Sequence, residues 1–239
     1  MKHSSFIIGF PLIILLMFSC QATPKSSVDE LSTFSNSDSK LTGYDFNLIV
    51  FTGEESGFTY PLDSTKFFSD NIAASLNIVN KTMLNGARAT LSNVVDALVP
   101  FNNDVNIINI IVYAGHASTN YIAAAGESIS YQRFIEQIEK TVANPTLVIL
   151  GSCFSGNASK FLSPETKIAL YTSSQIGMSS SSGGNNGVEL SVLGSIIYAL
   201  SNFDQVDNDK DHSISASELA KRAMVIANEN SEKHGWYEG

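Results

Sequence analysis

Short runs of consecutive apolar residues divide the chain from residue 46 onward into regular units. Each run is rich in Ile, Val and Leu and ends at glycine or at polar residues, which is typical of a strand buried on both faces of a sheet. Segments with apolar residues at helical spacing lie between the runs, and this alternation predicts a parallel sheet covered on both sides. We therefore expect an α/β fold, with three αβα layers around a mainly parallel central sheet. The predicted strands are residues 46–51, 107–114, 147–150 and 167–172.

Two of the intervening segments carry clear helix signals. Thr90 is a suitable N-cap for residues 91–99, where Pro100 ends the apolar pattern. Ser130 is a suitable N-cap for the next helix, which has one apolar and one charged face. Weaker patterns predict a short helix at residues 67–76 and a weak second strand at 76–84. Further along, they predict a polar loop at 175–187 and two helices, at 190–200 and 216–227.

The N-terminal segment is typical of an export signal. Lys2 and His3 precede an apolar stretch over residues 6–18, which is too short to span a bilayer comfortably. The stretch ends at Met-Phe-Ser-Cys20, which resembles a bacterial lipoprotein box, in which the signal is cut before a lipid-carrying cysteine. We expect residues 1–20 to be a lipoprotein signal peptide, with Cys20 lipidated and the protein anchored in the bacterial cell envelope. An ordinary secretory signal, which would give a secreted protein, is the alternative.

The rest of the chain is expected to be one domain on a tether. Residues 21–42 are rich in Ser, Thr, Asp and Lys and lack apolar periodicity, which predicts a flexible linker. Residues 43–239 then form one domain, because a chain of 239 residues with 44% hydrophobic and 15% charged residues can bury a sizeable core. The net charge of −9 argues against nucleic acid or an anionic membrane surface as the main partner.

Cys153 and His116 both follow predicted buried strands, and each stands close to glycine. Because the carboxyl ends of parallel strands meet at one edge of a sheet, the two residues are expected to share that edge. A thiolate and an imidazole can act as nucleophile and proton carrier in hydrolysis. If Cys20 is lipidated, Cys153 has no cysteine partner within the chain, and an exported protein keeps a lone thiol most readily when it uses it. A buried inert cysteine and a structural histidine are the alternatives.

These two strand ends resemble those of the caspase-like cysteine peptidases, the group of caspases, metacaspases, legumains and clostripain-type enzymes. The sequence Ile-Ile-Val-Tyr-Ala-Gly-His116 is similar to the family's apolar strand that ends in Ser-Gly-His-Gly. The sequence Leu-Val-Ile-Leu-Gly-Ser-Cys153-Phe-Ser-Gly is similar to its strand that ends in Asp-x-Cys-x-Ser-Gly. The resemblance covers roughly residues 44–228. It implies a caspase-like fold and a cysteine endopeptidase that acts on a peptide or protein substrate.

By this resemblance Cys153 is the nucleophile, His116 is the general acid/base, and the backbone N–H groups of Cys153 and Ala117 form the oxyanion hole. Ala117 stands where the family usually has glycine, so its N–H is available if the backbone angles suit alanine. Gly151 stands where relatives often carry an acid or glutamine that lines the pocket for the residue before the scissile bond. Specificity for Arg, Lys or Asp therefore does not carry over. An inactive member that keeps the fold is one alternative, and a cysteine acyltransferase or ligase is another.

An acidic loop at residues 207–218 matches the EF-hand template D-x-D-x-D-G-x-I-x-x-x-E at every ligand position. Ca²⁺ prefers such hard oxygen ligands. His212 replaces the template's glycine, which should weaken binding rather than abolish it, because histidine tolerates positive φ better than most residues. A single loop favours a structural Ca²⁺ site over a switch, and a solvated acidic helix start capped by Ser215 is the alternative. An inactive caspase-like, calcium-binding surface lipoprotein is therefore the alternative to a peptidase. The expected ligands are Asp207, Asp209, Asp211, the Ser213 carbonyl, Ser215 through water, and Glu218.

Overall fold

The computed structural model describes residues 45–53, 60–104, 106–124, 127–174 and 176–177, together with Ile196, Val206, Lys210, Glu218, Lys221, Arg222 and Val225. All of these single positions except Lys210 are helical. Those within 190–200 and 216–227 agree with the helices predicted there. The signal peptide at 1–20 with Cys20, the tether at 21–42 and most of the loop at 175–187 lie outside the described residues.

The central sheet has five strands, and all of them are parallel. In order across the sheet they are β2 (Ile78–Leu84), β1 (Asp45–Thr52), β3 (Ile107–Ala114), β6 (Thr146–Gly151) and β7 (Ile168–Thr172). Every predicted strand is present, and the strand predicted at 107–114 has the same bounds in the structure. The expected α/β fold with a mainly parallel sheet is therefore confirmed.

Helices cover both faces of the sheet, which gives three layers. On one face, α1 (Tyr60–Ser75) packs against β1 and β3, and its apolar side chains join one core cluster. On the other face, α2 (Leu91–Leu98) and α3 (Tyr131–Thr141) pack against a second cluster. The helix predicted at 67–76 was too short at its start: α1 begins before Pro61, since proline is tolerated in the first turn, where no N–H is needed. None of the described helices is long and apolar enough to cross a bilayer.

The two predicted N-caps are confirmed. The Asn93 N–H donates to Thr90 Oγ1 over 3.3 Å, and the Arg133 N–H donates to Ser130 Oγ over 3.2 Å. Glu127 supports both helix starts, because its carboxylate accepts from the Leu91 N–H over 2.7 Å and from Arg133 Nη1 over 3.1 Å. These contacts tie the starts of α2 and α3 to each other on one face of the sheet.

A small antiparallel hairpin between β3 and α3 was not predicted. Its strands are β4 (Tyr121–Ala124) and β5 (Glu127–Ser130). Each strand has only four residues, too few for an alternating pattern to stand out against the polar residues around it. The hairpin lies next to the segment that carries His116, because Ala117 forms an isolated antiparallel bridge with Ile122.

A row of polar side chains crosses the buried sheet near its amino edge. Asn80 Nδ2 donates to Asn47 Oδ1 over 2.8 Å, and Asn47 Nδ2 donates to Asn109 Oδ1 over 2.9 Å. Asn109 Nδ2 continues the row to Thr146 Oγ1 over 3.4 Å. These residues are registered partners on β2, β1, β3 and β6. A slip in strand register would separate these buried side chains from their hydrogen-bond partners, so the row favours the observed register. The same register aligns the strands at the carboxyl edge of the sheet.

Candidate active site

The carboxyl ends of β1, β3 and β6 stop at the same level. Thr52, Ala114 and Gly151 are registered partners across these strands. Sheet-like hydrogen bonds continue one step further, because the Gly53 N–H donates to the Ala114 carbonyl over 3.0 Å and the Gly115 N–H donates to the Gly151 carbonyl over 3.4 Å. The chain segments that leave these strands therefore start from a fixed common edge.

His116 and Cys153 each lie two residues beyond the registered pair Ala114 and Gly151. Neighbouring strands are about 4.8 Å apart, so the segments that carry the two residues start from adjacent strand ends. His116 is exposed and Cys153 is half-exposed. The predicted placement at one sheet edge is confirmed, and Cys153 is not one of the buried core residues. The catalytic roles of the two residues stay predictions.

Tyr113 holds the segment that carries His116. Its side chain is fully buried, and its hydroxyl donates to the His116 carbonyl oxygen over 2.6 Å and lies 2.9 Å from the Ala123 carbonyl oxygen. Gly53 and Gly115 leave room for this hydroxyl, since a Cβ at either position would collide with it. This hydroxyl thus connects the segment after β3 to β4 of the hairpin, and it fits closely against Gly53 at the end of β1.

Ala117 has an ordinary backbone conformation, because the positive-φ residues other than glycine in the described part of the chain are Phe154 and Lys210. An alanine therefore fits this position without left-handed strain. Ala117 and Ile122 face each other in an isolated antiparallel bridge, whose hydrogen bonds are made by the residues on either side of them. The Ser118 N–H donates to the Tyr121 carbonyl oxygen over 2.9 Å. The Ala123 N–H donates to the His116 carbonyl oxygen over 3.0 Å. In this type of antiparallel pair, the N–H of Ala117 itself is not used.

The turn at Cys153 is tight and partly left-handed. Phe154 has φ 55° and ψ 11°, a conformation that costs a side-chain-bearing residue about 1 kcal/mol. The 3₁₀ helix Ser155–Phe161 follows, and Asn157 N–H donates to the Phe154 carbonyl over 2.9 Å. The fully buried Tyr131, the first residue of α3, donates its hydroxyl to the Cys153 carbonyl oxygen over 3.3 Å.

Serine hydroxyls hold the peptide on the other side of Cys153. The Ser173 Oγ donates to the Ser152 carbonyl oxygen over 2.9 Å, and the Ser174 Oγ lies 3.4 Å from the same oxygen. The Ser173 N–H donates to the Leu150 carbonyl over 3.0 Å, so β7 continues alongside β6 up to this point. The peptide groups before and after Cys153 are therefore each bonded to a side-chain hydroxyl.

The electrostatic environment of Tyr131 depends on the same turn. Burial raises the pKa of Tyr131 well above its usual value; the Ser152 side chain partly opposes the rise, and the charge of Cys153 adds to it. The Tyr131 hydroxyl therefore stays protonated, as a hydrogen-bond donor must. None of the strand-end residues described here (52–53, 114–118, 151–154 and 172–174) is Asp, Glu, Lys or Arg. In this part of the site the polar groups are hydroxyls, peptide groups, His116 and Cys153.

Sequence reasoning missed the residues that hold this site: Tyr113, Tyr131 and Ser173. A signal for the first was present, because Tyr113 interrupts a run of aliphatic residues directly before Ala114 and Gly115. A buried tyrosine needs a partner for its hydroxyl, and the end of a strand offers free carbonyl groups. The partners of Tyr131 and Ser173 are 22 and 21 residues away in the sequence, and no local pattern indicates them.

The predicted metal loop lies mostly outside the described residues, including Asp207, Asp209, Asp211, Ser213 and Ser215. Within the described part of the chain, Lys210 has φ 59° and Glu218 is 9% exposed. The first value is a left-handed backbone conformation at the fourth loop position, and the second shows that the residue at the twelfth position is buried. Among the described residues, no three His, Cys, Asp or Glu side chains are grouped so that they could hold a metal ion.

No family model matches the sequence, and the search of curated proteins finds no significant match.

Proposed function

We propose that the protein is a cysteine endopeptidase, with Cys153 as nucleophile and His116 as general acid/base. The observation that carries this assignment is the register of β3 and β6, in which both residues follow the pair Ala114 and Gly151 by two positions. An exposed imidazole and a half-exposed thiol then leave neighbouring strand ends. That edge of an α/β sheet is where catalytic groups collect.

The chemistry follows from these groups. His116 takes the proton of the Cys153 thiol, the sulfur attacks the carbonyl carbon of a peptide bond, a C–S bond forms, and the carbonyl oxygen becomes an oxyanion. The N–H groups of Cys153 and Ala117 donate hydrogen bonds to that oxygen. His116 gives a proton to the amine as the C–N bond breaks, which leaves a thioester. Water, deprotonated by His116, then attacks the thioester, the C–S bond breaks and the carboxylic acid product leaves. His116 returns the proton to the sulfur and regenerates the thiol.

The motif resemblance to caspase-like peptidases supports the same assignment, and Gly151 limits it. Gly151 offers no side chain to the residue before the scissile bond, so a charged side chain has no counter-charge from this position. The same feature favours the second candidate, an inactive caspase-like surface protein that binds calcium. In either case we propose that an N-terminal lipid on Cys20 anchors the protein in the cell envelope.

We also propose a structural Ca²⁺ site in the loop at residues 207–218. It is supported by the oxygen-rich ligand pattern and by Glu218, a carboxylate that is 9% exposed. A bidentate Glu at the twelfth loop position is what an EF-hand loop supplies to its cation. When bound, Ca²⁺ would connect this loop to the helix that follows it.

The test compares the wild-type protein with Cys153→Ala and His116→Ala on a mixture of peptides. The full chain is purified in detergent and assayed with reductant, with and without Ca²⁺, from about pH 5 to about pH 8, the range in which histidine changes charge. The proposal expects cleavage by the wild type that both variants lose. A second readout is the rate at which iodoacetamide alkylates Cys153, which should fall in His116→Ala.

The result that rejects the peptidase is a wild type that cleaves no peptide and whose Cys153 reacts at the same rate with and without His116. That combination would favour the inactive, calcium-binding scaffold. Cleavage products joined to an added amine instead of water would indicate an acyltransferase. Cys153→Ser serves as the matched control, because it keeps the shape of the side chain and lacks the reactive thiol.

A further inference from the structure

Each predicted oxyanion donor is one end of a peptide group whose other end is held by a side chain. In a trans peptide the C=O and the following N–H lie in one plane and point in opposite directions. The described chain has no cis peptide bonds. A hydrogen bond that fixes the carbonyl oxygen of a residue therefore also fixes the direction of the next N–H.

The first such peptide joins His116 to Ala117. Its carbonyl oxygen accepts from the Tyr113 hydroxyl over 2.6 Å and from the Ala123 N–H over 3.0 Å. Its opposite end is the Ala117 N–H, which the bridge to Ile122 does not use. Two donors from different elements thus lock the plane that carries this N–H.

The second peptide joins Ser152 to Cys153. Its carbonyl oxygen accepts from Ser173 Oγ over 2.9 Å, with Ser174 Oγ at 3.4 Å, and its opposite end is the Cys153 N–H. Ser152 is 3% exposed and Ser174 is 2% exposed, whereas Ser173 is half-buried, so the Ser152 carbonyl oxygen is the end of these bonds that lies away from bulk water. Hydrogen bonds in such surroundings are stronger, and donation to the carbonyl polarises the peptide towards a better N–H donor.

We propose that Tyr113 and Ser173 are positioning residues that aim the Ala117 and Cys153 N–H groups at the oxyanion. The assignment presupposes the peptidase activity proposed above and goes one step beyond it. Donors that already point to the developing charge need no reorganisation during the reaction, which is the source of oxyanion stabilisation. Gly53 and Gly115 contribute to the same positioning, because the absence of a side chain at each leaves the space that the Tyr113 hydroxyl occupies.

The test uses Tyr113→Phe and Ser173→Ala, which each remove one hydroxyl and keep the backbone atoms. Complete loss of an oxyanion donor lowers kcat by about 10²–10³-fold. In these variants the donor stays but is held less firmly, so kcat should fall by about 10-fold while KM changes by less than about 2-fold. A peptide aldehyde, whose adduct with Cys153 places an oxygen in the same hole, should bind more weakly by the same factor. Ser173→Thr keeps the hydroxyl and should restore both values.

Alkylation of Cys153 by iodoacetamide separates this role from a merely structural one. In that reaction a C–S bond forms and iodide leaves, so no oxyanion develops and the rate and its pH profile should match the wild type. Tyr171→Phe and Ser159→Ala are the matched controls. Tyr171 is a buried tyrosine in the cluster on the opposite face of the sheet, and Ser159 Oγ donates to the Gly156 carbonyl over 2.7 Å. Both controls should keep kcat and aldehyde affinity.

Unchanged kcat and aldehyde affinity in Tyr113→Phe and Ser173→Ala would overturn the positioning role and leave the peptidase standing. A parallel fall in alkylation rate would also overturn it, because the loss would then lie in the thiol or the fold. If Tyr113→Phe does not fold, the comparison of Ser173→Ala with Ser173→Thr decides alone. A wild type that binds no aldehyde and shows no His116-dependent alkylation rejects the peptidase itself, and the positioning role with it.

Discussion

The Tyr131 hydroxyl donates a hydrogen bond to the carbonyl oxygen of Cys153 over 3.3 Å. Tyr131 is fully buried and opens α3, whereas Cys153 lies half-exposed in the turn after β6. The left-handed Phe154 follows directly, so this bond helps to hold a strained turn in place. The helix start on one face of the sheet is in this way connected to the residue that the proposed chemistry needs.

Tyr131→Phe should therefore destabilise the protein and loosen the Cys153 turn. The ring keeps its packing, but the hydrogen bond is lost, which costs about 0.5–1.5 kcal/mol of the free energy of unfolding. The measurement is urea unfolding, together with the peptide cleavage rate. Tyr131→Leu is the comparison, since it removes the ring as well and should cost more. A Tyr131→Phe variant as stable and as active as the wild type would show that the bond has no role in the turn.

Gly115→Ala should damage both the fold and the site. A Cβ at this position would collide with the Tyr113 hydroxyl and lie 2.9 Å from Gly53, and φ is 157°. Such overpacking costs about 1–3 kcal/mol, and displacing Tyr113 should also reduce peptide cleavage. The control is Gly177→Ala: its φ is 78°, but its Cβ meets no heavy atom within 4 Å, so it should cost only about 1 kcal/mol. Equal losses for the two variants would contradict the proposed crowding around Tyr113.

Stability should fall in alkali because burial raises the pKa of two tyrosines. Burial raises the pKa of Tyr131 and Tyr171 in the folded protein above about 10, the value expected in the unfolded chain. The unfolded chain then loses these protons first, so this contribution to stability is complete below about pH 10 and decreases as the pH rises towards the folded-state pKa. The slope should be about 1.4 kcal/mol per pH unit for each tyrosine.

Urea unfolding from about pH 9 to about pH 11 measures this slope around the unfolded-state pKa of tyrosine. Tyr131→Phe and Tyr171→Phe should each make the decline in the free energy of unfolding less steep, because phenylalanine has no proton to lose. A decline that is equally steep in the wild type and in both variants would assign alkaline unfolding to other groups.

Asn109→Ala should strongly destabilise the sheet without touching its carboxyl edge. Asn109 and Asn47 are fully buried and hydrogen-bonded to each other over 2.9 Å. Removing one leaves the other without this partner, and an unsatisfied buried amide costs about 1–3 kcal/mol, to which the cavity adds. Asn80→Ala is the matched control, because Asn80 is only half-buried on the edge strand β2 and water can replace its bond. Urea unfolding checks both, and a larger loss in Asn80→Ala would contradict this account.

Much of the fold could be predicted because its signals are local. The strand Ile107–Ala114 and the caps Thr90 and Ser130 follow from apolar runs and from single residues at helix starts. The placement of His116 and Cys153 at one edge follows from parallel pairing, which fixes which strand ends meet. These inferences need only neighbouring residues and a general rule of topology.

The supports of the site could not be predicted, because they depend on contacts between distant segments. The bond from Ser173 to the Ser152 carbonyl forms only when β7 pairs with β6. The space for the Tyr113 hydroxyl requires Gly53, which directly follows another strand, β1. A serine or glycine in a strand-end segment predicts a turn, and nothing in its neighbourhood shows which peptide group it will hold.

The Ca²⁺ site makes the last prediction. Ca²⁺ that binds only the folded protein raises the melting temperature by mass action, and the increase grows with its concentration. Glu218→Gln removes the expected bidentate carboxylate, so the variant should melt at the same temperature in Ca²⁺ and in chelator, whereas the wild type should melt higher in Ca²⁺.

Mg²⁺ should raise the melting temperature only weakly, since it prefers smaller octahedral sites. Arg222→Gln is the control, because Arg222 follows Glu218 by four residues, is also helical and as a cation cannot bind Ca²⁺, so its loss should leave the Ca²⁺ response intact. An identical melting temperature of the wild type in Ca²⁺ and in chelator would show that the loop binds no calcium.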